Sequence, residues 1–418
     1  MSKILDVSSY RRVLASTKEC FLAMVAIINL CSVQQYSAAD EPADKPFVLS
    51  ESDQSDISVE LNAIPISNTN EARATQLYNI IRAGDGVANA ASYQEEGISR
   101  MDVLRFNEDG ATNGEVQPIK NIVVRLNGED ADSWIVVGAH LDKVDIGAGA
   151  IDDWTGCIAV ANLYERFRKL EKKDRKHTFI FVCFAYEESG LWGSRTFVEK
   201  LKEDRNLNKI KAMINLECLG VSHPHIWKNG STTSLAQLAE DVAAKSNVEI
   251  TNRPLQGVGA DSVPFFNAGI PAITFDSLDV PNFGKIHSPQ DQIASLSMDS
   301  DNQPFRMFEA FRFAFDYLRA VDLLPRSTVD HDVVKGFIPQ LAYSSFHPGP
   351  TDDDHRTVDR VGERGMSNNS SVQASDSNVF VVGSGQSAEL IIVRDLHVWR
   401  LQIGSLRSGP NNPTQLSH

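Results

Sequence analysis

The stretch "HTFIFVCFAYEESGLWGSR", residues 177–195, decides the fold. From Phe179 to Ala185 the chain is apolar without a break, and "SRTFVEKLKE" then follows with helical spacing. A strand apolar at every position is buried on both faces, as inside a parallel sheet, and the helix after it is a crossover. Between the two stand adjacent carboxylates, Glu187 and Glu188. Their repulsion and desolvation raise the pKa of at least one unless cations or solvent compensate. Taken alone, such a pair opens a solvated loop, so the rest of the chain has to decide its meaning.

The same alternation extends in both directions. Upstream, "NEARATQLYNIIRAG" has helical spacing at Ala74, Leu77, Ile80 and Ile81, and "NIVVRLNGEDADSWIVVGAH" reads as strand, turn, strand. "TGCIAVANLYERFRKL" is an amphipathic helix leading into the opening stretch. Downstream come strand "KAMINLECLG", helix "TSLAQLAEDVAAKS", strand "IPAITF" and helix "FRMFEAFRFAFDYLRAV". The pattern predicts an α/β fold, a mostly parallel open sheet covered by helices on both faces in a three-layer sandwich, with a C-terminal extension.

A chain of 418 residues, 42% hydrophobic, buries one large core and leaves residues for additions. Its net charge of -15 argues against nucleic acid as a partner. Lys3, Arg11, Arg12 and Lys18 precede the apolar run "CFLAMVAIINLC", and Ser37 and Ala39 offer small residues for signal peptidase. The run is too short for a stable bilayer span, so the reading is export with cleavage near Ala39 and no other membrane association. Cys157, Cys183 and Cys218 each sit in an apolar stretch and read as buried free thiols.

The expected organisation is a signal peptide over 1–39, an acidic linker over 40–55, a catalytic domain over 56–325, a loose polar linker over 326–378 and a small β appendage over 379–418. The appendage rests on the runs "VFVV", "ELIIV" and "HVWRLQI". Asp352, Asp353, Asp354 and His355 form a solvated charge run.

Ligands of an open α/β sheet bind beyond the carboxyl ends of its strands. The strand "WIVVGA" ends in His140 with Asp142 two residues on, and "AMINL" ends in Glu217. The glycine-rich turn "GAGAIDDWTG" presents Asp152 and Asp153, and the loop "KIHSPQDQ" presents His287. Singly, each has a structural role open to it: a bonded histidine, turn-forming aspartates, a surface loop. Together with Glu187 and Glu188 they form an oxygen and nitrogen donor set without thiolates, suited to hydrolytic zinc, manganese or cobalt.

The blocks "VVGAHLDKV", "GAIDDWTG", "FAYEESGLWGSR", "INLECLG", "GADSVPFFNAGIPAI" and "IHSPQDQI" occur in that order. Over about residues 70–322 the chain resembles the co-catalytic zinc exopeptidases of metallopeptidase family twenty-eight, which include secreted bacterial leucine aminopeptidases, glutamate carboxypeptidases and glutaminyl cyclases. The resemblance implies two zinc ions bridged by Asp152, with His140 and Glu217 completing one site and Glu188 and His287 the other. It implies Glu187 as general base, Asp142 orienting the His140 imidazole, and a non-proline cis peptide at the Asp152–Asp153 turn. Glu217 stands where many relatives carry Asp, and Ser262 where many carry His after the aspartate at 261.

The implied activity is an exported aminopeptidase acting on peptides with a free N-terminus. One alternative is a glutaminyl cyclase, an acyltransferase on the same fold that uses one zinc; cyclases typically carry a longer insertion before "GSR", where this chain has only "SGLW". A non-catalytic scaffold protein is the other alternative, opposed by the complete ligand set. The sequence shows no arginine cluster to grip a C-terminal carboxylate. Side-chain specificity and oligomeric state are not legible in it.

Overall fold

The structure, a computed structural model, describes residues 46–67, 69–83, 88–255 and 258–324, with the backbone of three strands between 378 and 403. The expected signal peptide, most of the 326–378 linker and the Asp352–His355 run lie outside the described residues.

Helix α1 (Glu51–Asn62) opens inside the stretch expected to be a linker. Its start is specified by a capping box: the Ser50 hydroxyl accepts from the Asp53 amide at 3.2 Å, and the Asp53 carboxylate accepts from the Ser50 amide at 3.1 Å. Only Ile57 and Leu61, one turn apart, are buried, so the acidic face resembles linker composition. Helix α2 (Asn70–Ala83) follows, burying Leu77, Ile81 and, unexpectedly, Arg73.

Eight strands form one sheet. In spatial order they are β1 (Gly97–Met101), β4 (Asn121–Leu126), β6 (His177–Phe184), β5 (Asp130–His140), β7 (Ile210–Leu216), β10 (Ala272–Asp276), β8 (His225–Trp227) and β9 (Thr251–Arg253). A separate hairpin joins β2 (Leu104–Phe106) to β3 (Thr112–Val116). The four central strands β6, β5, β7 and β10 are parallel to one another, whereas β4 and β8 join them antiparallel. The carboxyl ends of β5, β6 and β7 therefore lie along one edge.

Period-two alternation divides each central strand between two apolar layers. Ile135 and Val137 of β5, Phe179 and Phe181 of β6, and Ile214 of β7 face one layer, shared with α1, α2, α3 (Thr155–Lys169), α5 (Thr233–Ser246) and α7 (Phe305–Leu323). Val136, Ile180, Val182 and Met213 face the other, against Phe197 and Leu201 of α4 (Trp192–Glu203) and Phe265 of α6 (Ser262–Asn267). Each fully buried side chain of this size contributes roughly 1.5–3 kcal/mol relative to exposure. Burial on both faces is why the strands read as unbroken apolar runs.

The three C-terminal runs form β11 (Asn378–Val382), β12 (Ala388–Arg394) and β13 (His397–Ile403) of an antiparallel sheet that shares no strand with the large one. No helix among the described residues is long and apolar enough to cross a membrane. Cys157, Cys183 and Cys218 are buried and free, as expected.

Docking of α1 carries a titratable group. The Asn162 amide of α3 donates to Glu60 Oε2 at 2.6 Å, while burial pushes the Glu60 carboxyl up to about 7, Asn162 opposing and Asp56 and Glu165 adding to the rise. A raised carboxyl stabilises the fold most below its ordinary value of 4.5, and that stability is lost as pH rises through about 7. Glu60→Gln is therefore expected to melt higher than the parent at pH 8, by roughly 2–4 °C for each kcal/mol recovered, and to converge on it below pH 5. Melting curves across that range check the sign.

Candidate metal centre

Asp152 is 5% exposed and lies in the turn between β5 and α3. Gly149 enters that turn at φ 62, where a Cβ would meet the Lys143 side chain. The Asp152–Asp153 peptide is cis, as the resemblance implies. The two carboxylate oxygens of Asp152 face different partners. Oδ1 lies 2.9 Å from His140 Nε2, which also lies 3.2 Å from Glu217 Oε1. Oδ2 lies 3.0 Å from His287 Nε2, which also lies 3.1 Å from Glu188 Oε2. Two groups result, His140–Asp152–Glu217 and Asp152–Glu188–His287, each with its donor atoms within 4.8 Å of one another.

Neighbouring side chains explain the positions. Asp153, fully buried, accepts from the backbone amides of His140 (3.2 Å), Gly156 (3.0 Å) and Cys218 (3.0 Å), joining the ends of β5 and β7 to the start of α3. A Cβ on Gly156 would run into the Asp153 carboxylate and the Leu216 carbonyl, so the glycine is required there. The Asn215 side chain donates to Glu217 Oε2 at 2.7 Å and orients that carboxylate. In the His287 loop, Asp291 accepts from the Ile151 amide at 2.6 Å through Oδ1 and from the Ala148 amide at 2.8 Å through its carbonyl. That loop and the Asp152 turn are thus fastened together.

Asp142 does more than the resemblance implies. Its carboxylate accepts from the backbone amides of Glu187 (3.0 Å) and Glu188 (3.2 Å). Toward His140 Nδ1 its Oδ1 stands at 3.7 Å, and the closer acceptor is the Asp142 backbone carbonyl at 3.1 Å. The chain leaves β6 through Tyr186 at φ 61, and Asn121 bonds both the Ala185 amide and the Gly193 carbonyl at 2.9 Å. The loop bearing the two glutamates is held from both sides. Glu187 also comes within reach of His140 and Glu188.

The electrostatics call for positive charge. Burial opposes protonation of both histidines, yet the carboxylates of Asp142, Asp152 and Glu217 raise the pKa of His140 well above 6.5, and Glu188 and Asp152 do the same to His287. Burial would raise Asp152, but its bonds to His140 and His287 bring it below the usual carboxylate range. Glu187 is raised chiefly by burial, with Glu188 and Glu217 adding to it.

Divalent cations fit these residues. Each group offers one imidazole nitrogen and carboxylate oxygens, hard donors without thiolate. Asp152 has one oxygen for each group. Glu188 Oε1 is buried with no hydrogen-bond partner among the described residues, the state of a donor atom reserved for a cation. The structure brings together all five residues expected as ligands, with Glu187 and Asp142 beside them. Sequence reasoning treated Asp153 as turn chemistry and overlooked Asn121, Asn215 and Asp291. Asn215 and Asp291 both lie inside blocks already singled out.

Residues 121–311 match the family described as Peptidase family M28. Over 167 residues the chain is 30% identical to leupeptin-inactivating enzyme 1 of Streptomyces exfoliatus, covering 40% of this chain and 36% of that one. It is 28% identical over 199 residues to aminopeptidase Y of Saccharomyces cerevisiae, covering 43% and 36%. The matches thus span little more than a third of those relatives' own length. Two solved structures share the fold. LapB of Legionella pneumophila has TM-score 0.50 at 15% identity, covering 65% of this chain and 71% of its own. A glutaminyl cyclase from an Acidobacteriales bacterium has TM-score 0.52 at 17% identity, covering 69% and 99%.

Glu188 lies 3.1 Å from His287, whereas Glu187 forms with His140 and Glu188 a third group whose donor atoms lie within 4.8 Å of one another; the resemblance assigns the first as ligand and the second as base. Glu188→Gln removes a His287 partner and is expected to lower zinc content, with partial recovery of turnover in excess metal. Glu187→Gln is expected to keep its metal and lose about 100- to 10,000-fold in turnover. Metal analysis and rate measured on the same samples check both; reversed behaviour exchanges the two roles.

Proposed function

We propose that this protein is an exported, zinc-dependent aminopeptidase that uses two ions and removes N-terminal residues from peptides. The observation that carries the reading is the Asp152 carboxylate, divided between two histidine–carboxylate groups at 2.9 and 3.0 Å. His140, Asp152 and Glu217 would hold one ion, and Asp152, Glu188 and His287 the other. When bound, the ions would polarise the scissile carbonyl and lower the pKa of the attacking water. Glu187 accepts a proton from that water and returns it to the departing amine. Asp142 keeps Glu187 aimed by gripping its backbone amide. The names of relatives, aminopeptidase Y and leucine aminopeptidase 2, support the aminopeptidase class. The basic, apolar and small residues of the first 39 positions support export.

A second reading rests on the fold shared with the glutaminyl cyclase along 99% of that chain's length. Substrates decide between them. Peptides with a free N-terminus, their N-acetylated counterparts and N-terminal glutaminyl peptides are assayed with chelator and after zinc re-addition. The expected result is hydrolysis of the free peptides alone, abolished by chelator and restored by zinc. Cyclisation of glutaminyl peptides without hydrolysis establishes the second reading, and full activity without metal overturns both.

A further inference from the structure

Arg73 lies in the first turn of α2, outside the segment matched to the peptidase family. Its side chain is fully buried. A guanidinium at such depth stays charged and needs its N–H groups satisfied. Its partners are backbone carbonyls. Nε donates to Leu141 at 2.7 Å, Nη1 to Ala148 at 2.9 Å and Nη2 to Gly149 at 3.1 Å. Leu141 directly follows His140, and Gly149 lies three residues before Asp152. One planar fork therefore spans the two chain segments that deliver the histidine and the bridging carboxylate.

The same guanidinium lies over the Trp154 ring at 5.3 Å, just beyond the Asp152 turn. The Trp154 indole N–H in turn donates to the carbonyls of Glu60 (3.2 Å) and Leu61 (3.1 Å) at the end of α1. Both N-terminal helices thus close on the turn that carries Asp152. No carboxylate among the described residues pairs directly with Arg73.

We propose that Arg73 is a positioning residue for the metal centre, setting the separation of His140 from Asp152. The proposal rests on the reading of the cluster as a metal centre. Lysine retains the charge but lacks the rigid fork, so it preserves only part of the function.

Full-length Arg73→Met and Arg73→Lys are titrated with zinc against a competing chromogenic chelator. Circular dichroism and melting are followed with and without zinc. Arg73→Met is expected to keep its fold and bind zinc about 10- to 100-fold more weakly, the loss typical when a partner supporting a metal ligand is removed. Arg73→Lys is expected to lose less. A purely structural role would lower the melting of loaded and metal-free protein equally and leave zinc affinity unchanged, which overturns the proposal. Should Arg73→Met not fold, Arg73→Lys decides by the same criterion. A parent protein that holds no zinc against the chelator overturns the metal-centre reading itself, an outcome distinct from tight binding by parent and variants alike.

Discussion

The Asp153 carboxylate holds the centre together. Buried without solvent, it accepts three backbone amides, those of His140, Gly156 and Cys218. A buried carboxylate is tolerable only when hydrogen-bonded in this way. Each bond ties down a neighbour of the candidate ligands: His140 itself, the helix start after Asp152, and the residue after Glu217. Losing one acceptor would release three chain segments together, because the network's members depend on one another. The parallel sheet brings the strand ends near each other, and Asp153 fixes them there.

Around this point the site is over-determined from several directions. Asp291 fastens the His287 loop to the Asp152 turn, and Asp142 holds the glutamate loop by its amides. Thr155 donates to the Ile151 carbonyl at 3.0 Å and accepts from the Leu219 amide at 3.0 Å. Most of these bonds use backbone groups, so the scaffold constrains main-chain position before any ligand side chain is considered. Preorganisation of this kind keeps like charges close at modest further cost when cations are present.

The central sheet was legible because burial on both faces leaves unbroken apolar runs at Phe179–Ala185 and Ile135–Val137. The seven candidate site residues were legible because each stands directly after such a run or in a loop of unusual composition. Helix α1 was not, since its buried face is two residues, Ile57 and Leu61, inside an acidic stretch. Arg73 escaped notice for a related reason: on a helix an arginine reads as a solvated position, and only the tertiary structure shows three carbonyls around it. Partners that act through backbone amides leave no compositional trace.

The function proposed above requires Asp152 to hold two cations, one at each carboxylate oxygen. Diffraction from zinc-loaded crystals at the zinc absorption edge tests it most directly. Two anomalous peaks about 3.5–4 Å apart are expected, one beside Asp152 Oδ1 near His140 and Glu217, the other beside Oδ2 near His287 and Glu188. A single peak, or peaks that leave either Asp152 oxygen without a metal neighbour, would contradict it.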